Sequence, residues 1–148
     1  MDLVIEAARP DEWAAVFSFL EAMGLPTAGL GDHPSGLLVA RAGRRIVGTA
    51  ALEVYGKAAL LRSVAVGEDW RGRGLGTALV QRALDLGRQQ GGEDFYLLTE
   101  TAQGFFARLG FRVIPRSAVP APVRASAEFR GACPETAVVM SLSGGCRG

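Results

Sequence analysis

The chain has one histidine, His33, among 148 residues, so it cannot build a histidine-rich metal site, and no metal is expected. Its two cysteines, Cys133 and Cys146, do not make a disulfide framework, which makes a cytoplasmic setting the default expectation. Net charge is only +1, too little for a nucleic-acid footprint. No run of about eighteen apolar residues occurs, so no membrane partner is expected. The start, Met1-Asp2-Leu3-Val4, lacks the basic and apolar segments of a secretory signal. Repeats are absent. The length favours a single domain, and 49% hydrophobic residues suffice for its core. Glycine is abundant, 20 residues or roughly twice average usage, without a collagen period. The excess therefore marks turns and close backbone approaches.

Several of those glycines cluster in Arg71-Gly72-Arg73-Gly74-Leu75-Gly76. The apolar run Leu60-Leu61-Arg62-Ser63-Val64-Ala65-Val66 precedes this loop, and a helical pattern from Thr77 to Leu84 follows it. Strand, glycine-rich turn and helix start in that order make an anion site. The first helical amides lack intrahelical partners, and the dipole places partial positive charge there. Glycines admit a phosphate to the bare backbone, and arginines add donor forks. A triphosphate P-loop is excluded, because no lysine precedes Thr77. A dinucleotide fingerprint fits poorly, because Thr77 stands where its third glycine belongs and the next strand's acidic residue, Glu100, comes too late.

Arg-x-x-Gly-x-Gly after Val64-Ala65-Val66 resembles the acetyl-CoA loop of the GNAT family of N-acetyltransferases. The segment Phe105-Phe106-Ala107-Arg108-Leu109-Gly110-Phe111 is similar to that family's later aromatic-x-x-x-Gly-Phe motif. The spacing of the two motifs and the intervening strand Phe95-Tyr96-Leu97-Leu98-Thr99 also match.

The rest of the pattern extends the resemblance over nearly the whole chain. Leu3–Ala7 reads as a strand. A helix starts at Pro10, buries Trp13, Val16, Phe17 and Leu20, and ends at Gly24. Residues 25–36 form a loop with one helical turn near Gly29. Strands follow at 37–40 and 46–54, the second with a bulge at Gly48, and a third ends at Val66. Leu75, Leu79, Ala83 and Leu86 stripe a long helix that Gly91-Gly92 stops. A strand at 95–99, a helix at 102–109 and a strand at 111–114 come next. Residues 115–134 are irregular, with a helical turn within 123–129, and 136–142 is a last strand. The expected class is α/β (α+β): a GNAT fold with a mixed sheet of six to seven strands and about four helices, its strands splayed at the acetyl-CoA cleft. The domain expectation is 1–142, with 143–148 a mobile tail.

The resemblance implies acetyl-CoA as cofactor and an amine as acceptor. It places Val64, Ala65 and Val66 along the cofactor, with an amide near Val64 as oxyanion donor. Arg71, Gly72, Arg73, Gly74, Leu75, Gly76 and Thr77 would hold the pyrophosphate, with Phe105, Phe106 and Arg108 nearby. Many members carry a tyrosine acid where this chain has Phe106. Either another group protonates the thiolate or none does; a coenzyme A thiol ionises near pKa ~8.5, so losing the acid need not abolish turnover. Glu53 is the first candidate for general base and Glu100 the second. Tyr55 follows Glu53 at the mouth of the cleft, and Tyr96 packs. Arg62, a charge inside an apolar strand, needs a partner. That partner is either a buried carboxylate such as Glu53 or the carboxylate of an amino-acid substrate. Glu100 and Tyr55 complete the expected acceptor side.

Pro122, Arg124-Ala125-Ser126, Glu128-Phe129 and Cys133-Pro134 look like the short amino-acid acetyltransferases related to N-acetylglutamate synthase. They look closer still to those associated with arsenic resistance. That subgroup implies a small amino acid or an arsenic-bearing analogue, attacked directly in a ternary complex. A homodimer is left open. The alternatives are a silent acetyl-CoA sensor and a protein N-terminal or lysine acetyltransferase; no acidic cluster serves the latter.

Overall fold

The structure, a computed structural model, describes residues 3–132 and 136–143. Its elements run β1 (Leu3–Ala7), α1 (Trp13–Ala22), β2 (Leu37–Ala42), β3 (Arg45–Tyr55), β4 (Ala58–Val66), α2 (Leu75–Gln89) and β5 (Asp94–Thr99). Then come α3 (Gln103–Arg108), β6 (Arg112–Val113), α4 (Ala121–Arg124) and β7 (Val138–Ser143). The strands form a seven-stranded mixed sheet in the order β1-β2-β3-β4-β5-β7-β6. Among the described residues, only β4 and β5 pair in parallel. Sheet and helices agree with the expected class.

The central strands are covered on both faces, which is why β2, β3 and β4 read as nearly unbroken apolar runs. Alternation sends Ala50 and Leu52 to one face, where Leu79, Val80 and Ala83 of α2 close over them. Ala51 goes to the other face, beneath Val16 and Leu20 of α1. Leu60 shares that second face with Val119, Val123 and Val139. Each fully buried leucine stabilises the fold by about 1.5–3 kcal/mol relative to exposure. Glu53 and Tyr55 follow Ala51 in alternation, so the side that carries α1 and α4 also receives the charged groups.

Several boundaries move. The β2–β3 register shifts beside Gly48, where the bulge was expected. The strand expected at 111–114 shrinks to Arg112–Val113, because the Phe111 amide turns back to the Phe106 carbonyl at 3.1 Å. The helical turn expected within 123–129 divides into α4 and an irregular turn at Glu128–Ala132. Ser143, expected in the tail, belongs to β7 and pairs with Asp94. Residues 144–148 and the Cys133 and Cys146 positions lie outside the described residues.

Candidate active site

β4 and β5 pair over three residues only, Ala58 with Asp94, Ala59 with Phe95 and Leu60 with Tyr96. Beyond Leu60 the two strands part, and the β5 side of β4 carries no ladder. β3 stays paired with β4 to Val66 on the other side, through a register shift opposite Ala50. The extra residues of that bulge are Ser63 and Val64. Ser63 takes φ 58°, alone in the left-handed region among the described non-glycine residues. Thr49 holds it there, its hydroxyl donating to the Ser63 carbonyl at 2.6 Å. The bulge breaks the pleat just where Val64 faces the gap.

A cleft of about 560 Å³ opens at this splay. One wall is Val64, Ala65 and Val66, and its floor is Arg71, Gly72, Gly74, Leu75, Gly76 and Thr77. Gly72 and Gly74 take φ 77° and 82°, with nothing within 4 Å of an added Cβ, so a bulky anion can reach their backbone. The first α2 amide bonded back to the turn is that of Ala78, to the Gly74 carbonyl at 3.1 Å. The amides of Leu75, Gly76 and Thr77 precede it, at the positive end of a fifteen-residue helix. Arg71 donates from Nε to the Val66 carbonyl at 3.2 Å, which ties its guanidinium to the end of β4. Phe105 and Arg108 of α3 close the far side.

Four further lining residues escaped the sequence reading. Met23 and Leu25 arrive from the end of α1, and Thr101 and Ala102 from the turn after β5. No local motif marks them, because long-range packing brings them there. Trp70 makes a fifth missed residue, although it stands one residue before the loop.

One expectation for a cofactor contact is corrected, and two further candidates lie off the lining. Phe106 does not line the cleft; it is 6% exposed and packs edge-on against Phe105 and Phe111 in the core. Arg73 stays exposed off the lining, its guanidinium 5.1 Å above the Trp70 ring. Glu100 is exposed just past β5, and like Glu53 and Tyr55 it lies off the lining of this cleft.

The other charged candidates gather on the opposite side of β4. Glu53 is 2% exposed and Arg62 3%. Arg62 Nη1 donates to Glu53 Oε2 at 2.8 Å, and the Tyr55 hydroxyl donates to Glu53 Oε1 at 2.5 Å. Arg62 Nε lies 3.3 Å from Glu128 Oε2, an ion pair without hydrogen-bond geometry. His33 Nε2 stands 3.8 Å from Glu53 Oε1 and 3.5 Å from the Tyr55 hydroxyl. Burial first, then the bond to Glu53, holds the Tyr55 phenol well above its ordinary pKa of 10.0. Tyr55 therefore keeps its proton across the working pH range. His33 and Glu128 were missed as members of this cluster. His33 reads as a lone loop residue, and Glu128 lies 66 positions from Arg62.

Glycine cradle, helix amides, arginine donors and apolar walls fit coenzyme A: anion sites at one end of the cleft and a bare strand edge at the other. Residues 5–111 match the model of the acetyltransferase (GNAT) family. The chain belongs to that family, and it is an acetyl-CoA-dependent N-acetyltransferase. An uncharacterised N-acetyltransferase of Chlorobaculum tepidum is 31% identical over 115 residues, which are 75% of this chain and 74% of that protein. Among solved structures, N-acetylglutamate synthase from Neisseria gonorrhoeae, complexed with coenzyme A and N-acetyl-glutamate, matches with TM-score 0.83 at 18% identity. That match covers 97% of this chain and 35% of the synthase, so this chain spans about a third of the synthase's length. A Mycobacterium tuberculosis protein, Rv2747, in complex with CoA and NLQ, matches with TM-score 0.78 at 25% identity, over 95% of this chain and 98% of that one.

Proposed function

We propose that the chain acetylates the amine of a small amino acid or amino-acid analogue, by direct attack in a ternary complex. The observation that carries this reading is the splay of β4 from β5 after Leu60, with the cleft on one side and a buried acid–base cluster on the other. Acetyl-CoA, when bound, supplies the activated acyl carbon. The Val64 amide region donates to the developing oxyanion, a type of contact worth roughly 3–4 kcal/mol of barrier. The amine arrives from the face that carries Glu53 and Tyr55. A carbon–nitrogen bond forms as the carbon–sulfur bond breaks. Both Glu53 oxygens are already engaged, so its base role runs through Tyr55. The hydroxyl accepts the amine proton as it passes its own to Glu53. The thiolate leaves without a tyrosine acid, since Phe106 offers none.

The amino-acid substrate class draws support from the N-acetyl-glutamate in the gonococcal synthase and from the subgroup resemblance of the tail. An arsenic-bearing analogue belongs in the same class. A cytoplasmic setting and a homodimer are part of the same proposal. The test is a panel of amino acids and analogues incubated with acetyl-CoA, with release of free thiol and the acetylated product both measured. At least one α-amino acid should be turned over. Turnover of peptide amines alone would overturn the substrate class. A second reading, a silent acetyl-CoA sensor, is favoured by the burial of Phe106 and would show as tight cofactor binding with no acceptor at all.

A further inference from the structure

Arg62 fastens three separate stretches of chain to β4. Its side chain is 0% exposed. Nη1 is shared between Glu53 Oε2 at 2.8 Å and the Ala28 carbonyl at 2.7 Å, while Nη2 donates to the Pro26 carbonyl at 3.1 Å. Nε faces Glu128 at 3.3 Å. The 24–36 loop, β3 and the Glu128–Ala132 turn thus converge on one guanidinium. A buried cation needs such partners, and none of its contacts could be given up cheaply to a ligand.

A second contact shows that the two outer segments meet. A Cβ added at Gly29 would stand 2.8 Å from Ala127 Cβ and 3.6 Å from Arg62 Nη1. Gly29 also takes φ 77°. The loop therefore closes against Ala127, the residue that leads into the turn, beside the guanidinium and on the face where the proposed amine arrives.

We propose that Arg62, braced by Glu53 and Glu128, is a buried latch that joins the 24–36 loop to the 128–132 turn and so shapes the acceptor pocket. Arg62 is then a positioning residue and not the ligand of a substrate carboxylate. Glu128, far along the chain, becomes a residue that sets acceptor affinity. This inference rests on the acceptor side assigned above.

Glu128→Gln keeps the shape of the side chain and removes its charge. The latch predicts an acceptor KM raised about tenfold or more, because displaced pocket walls misplace the amine. It also predicts an unchanged cofactor Kd and faster hydrogen exchange across residues 24–36. If Glu128 instead restrains an Arg62 that binds substrate, the freed guanidinium would lower the acceptor KM, and the latch is overturned. Gly29→Ala leaves every charge in place and should reproduce the KM and exchange changes; it also carries the test if Glu128→Gln does not fold. Hydrogen exchange needs no acceptor. Unchanged exchange in both variants therefore sinks the latch, whereas a wild-type protein that accepts no amine sinks only the acceptor reading.

Discussion

Tyr55 donates its phenolic proton to Glu53 Oε1 at 2.5 Å, two residues along the same strand and on the same face of the sheet. The carboxylate is buried, so the phenol is its only neutral donor among the described hydrogen bonds. Tyr55→Phe leaves that oxygen short of a partner, at a cost of about 1–3 kcal/mol. Chemical denaturation at neutral pH should show the loss. The raised phenol pKa adds a pH signature. Its contribution is complete below pH 10.0, the unfolded value, and declines as pH rises toward the folded value. The alkaline fall in wild-type stability should therefore be steeper than that of Tyr55→Phe.

The proposed proton route predicts that Tyr55 and Glu53 are coupled kinetically. Glu53→Gln should lower turnover by about 10²–10⁴-fold, with the deficit larger at neutral than at high pH, where the amine deprotonates unaided. Tyr55→Phe should lower it comparably, and the double variant should be little worse than either single one. An unchanged pH–rate profile in Glu53→Gln would remove it as base.

Arg71 is pinned to Val66 at the end of β4 and lines the floor of the cleft. Arg71→Ala should raise the cofactor Kd about tenfold or more, the usual value of a charge-assisted contact, while thermal unfolding stays near wild type. Calorimetric titration with coenzyme A checks both the affinity and the stoichiometry.

Phe106 sits where many family members carry an acid, yet its ring is in the core. Phe106→Tyr should not raise turnover. It should instead destabilise the fold by about 1–3 kcal/mol, the cost of burying a hydroxyl without a partner. A gain in turnover would show that the ring can reach the thiol.

Outside the site, Arg41 holds Glu12 with a 3.0 Å bond from Nη2 and a 2.5 Å bond from Nε. Those bonds keep the Glu12 carboxyl below its ordinary value of 4.5, against the opposing effect of burial. The stabilisation is full above 4.5 and is lost as pH falls through the lowered value. Acid titration of unfolding should show a shallower decline in Glu12→Gln than in wild type.

The sequence exposed the cofactor half of the site far better than the acceptor half. Arg71 to Thr77 is a local device: a turn and a helix start whose chemistry follows from consecutive residues. Val64 to Val66 came with it, as the strand feeding the turn. The stripe of Leu75, Leu79 and Ala83 was legible because helical periodicity marks a buried face. The proposed acceptor half is assembled from residues far apart. Arg62 announced that it needed a partner, and Glu53 was among those named. Its second carboxylate, Glu128, lies in an irregular turn that no periodicity marks, and the Pro26 and Ala28 contacts use backbone carbonyls, which sequence does not distinguish. The Phe106 assignment failed for a related reason. A motif position fixes where a residue sits on its helix, but the six-residue length of α3 and the Phe111 turn decide which way the ring faces.

The most direct test of the account is the initial-velocity pattern for the best amino acid found in the acceptor panel. Acetyl-CoA is varied at several fixed acceptor concentrations. Direct transfer at the cleft where β4 parts from β5 requires both ligands together, so the reciprocal plots should intersect. Parallel lines would mean that the acetyl group leaves coenzyme A before the amine binds, and would contradict direct transfer across the splayed strands.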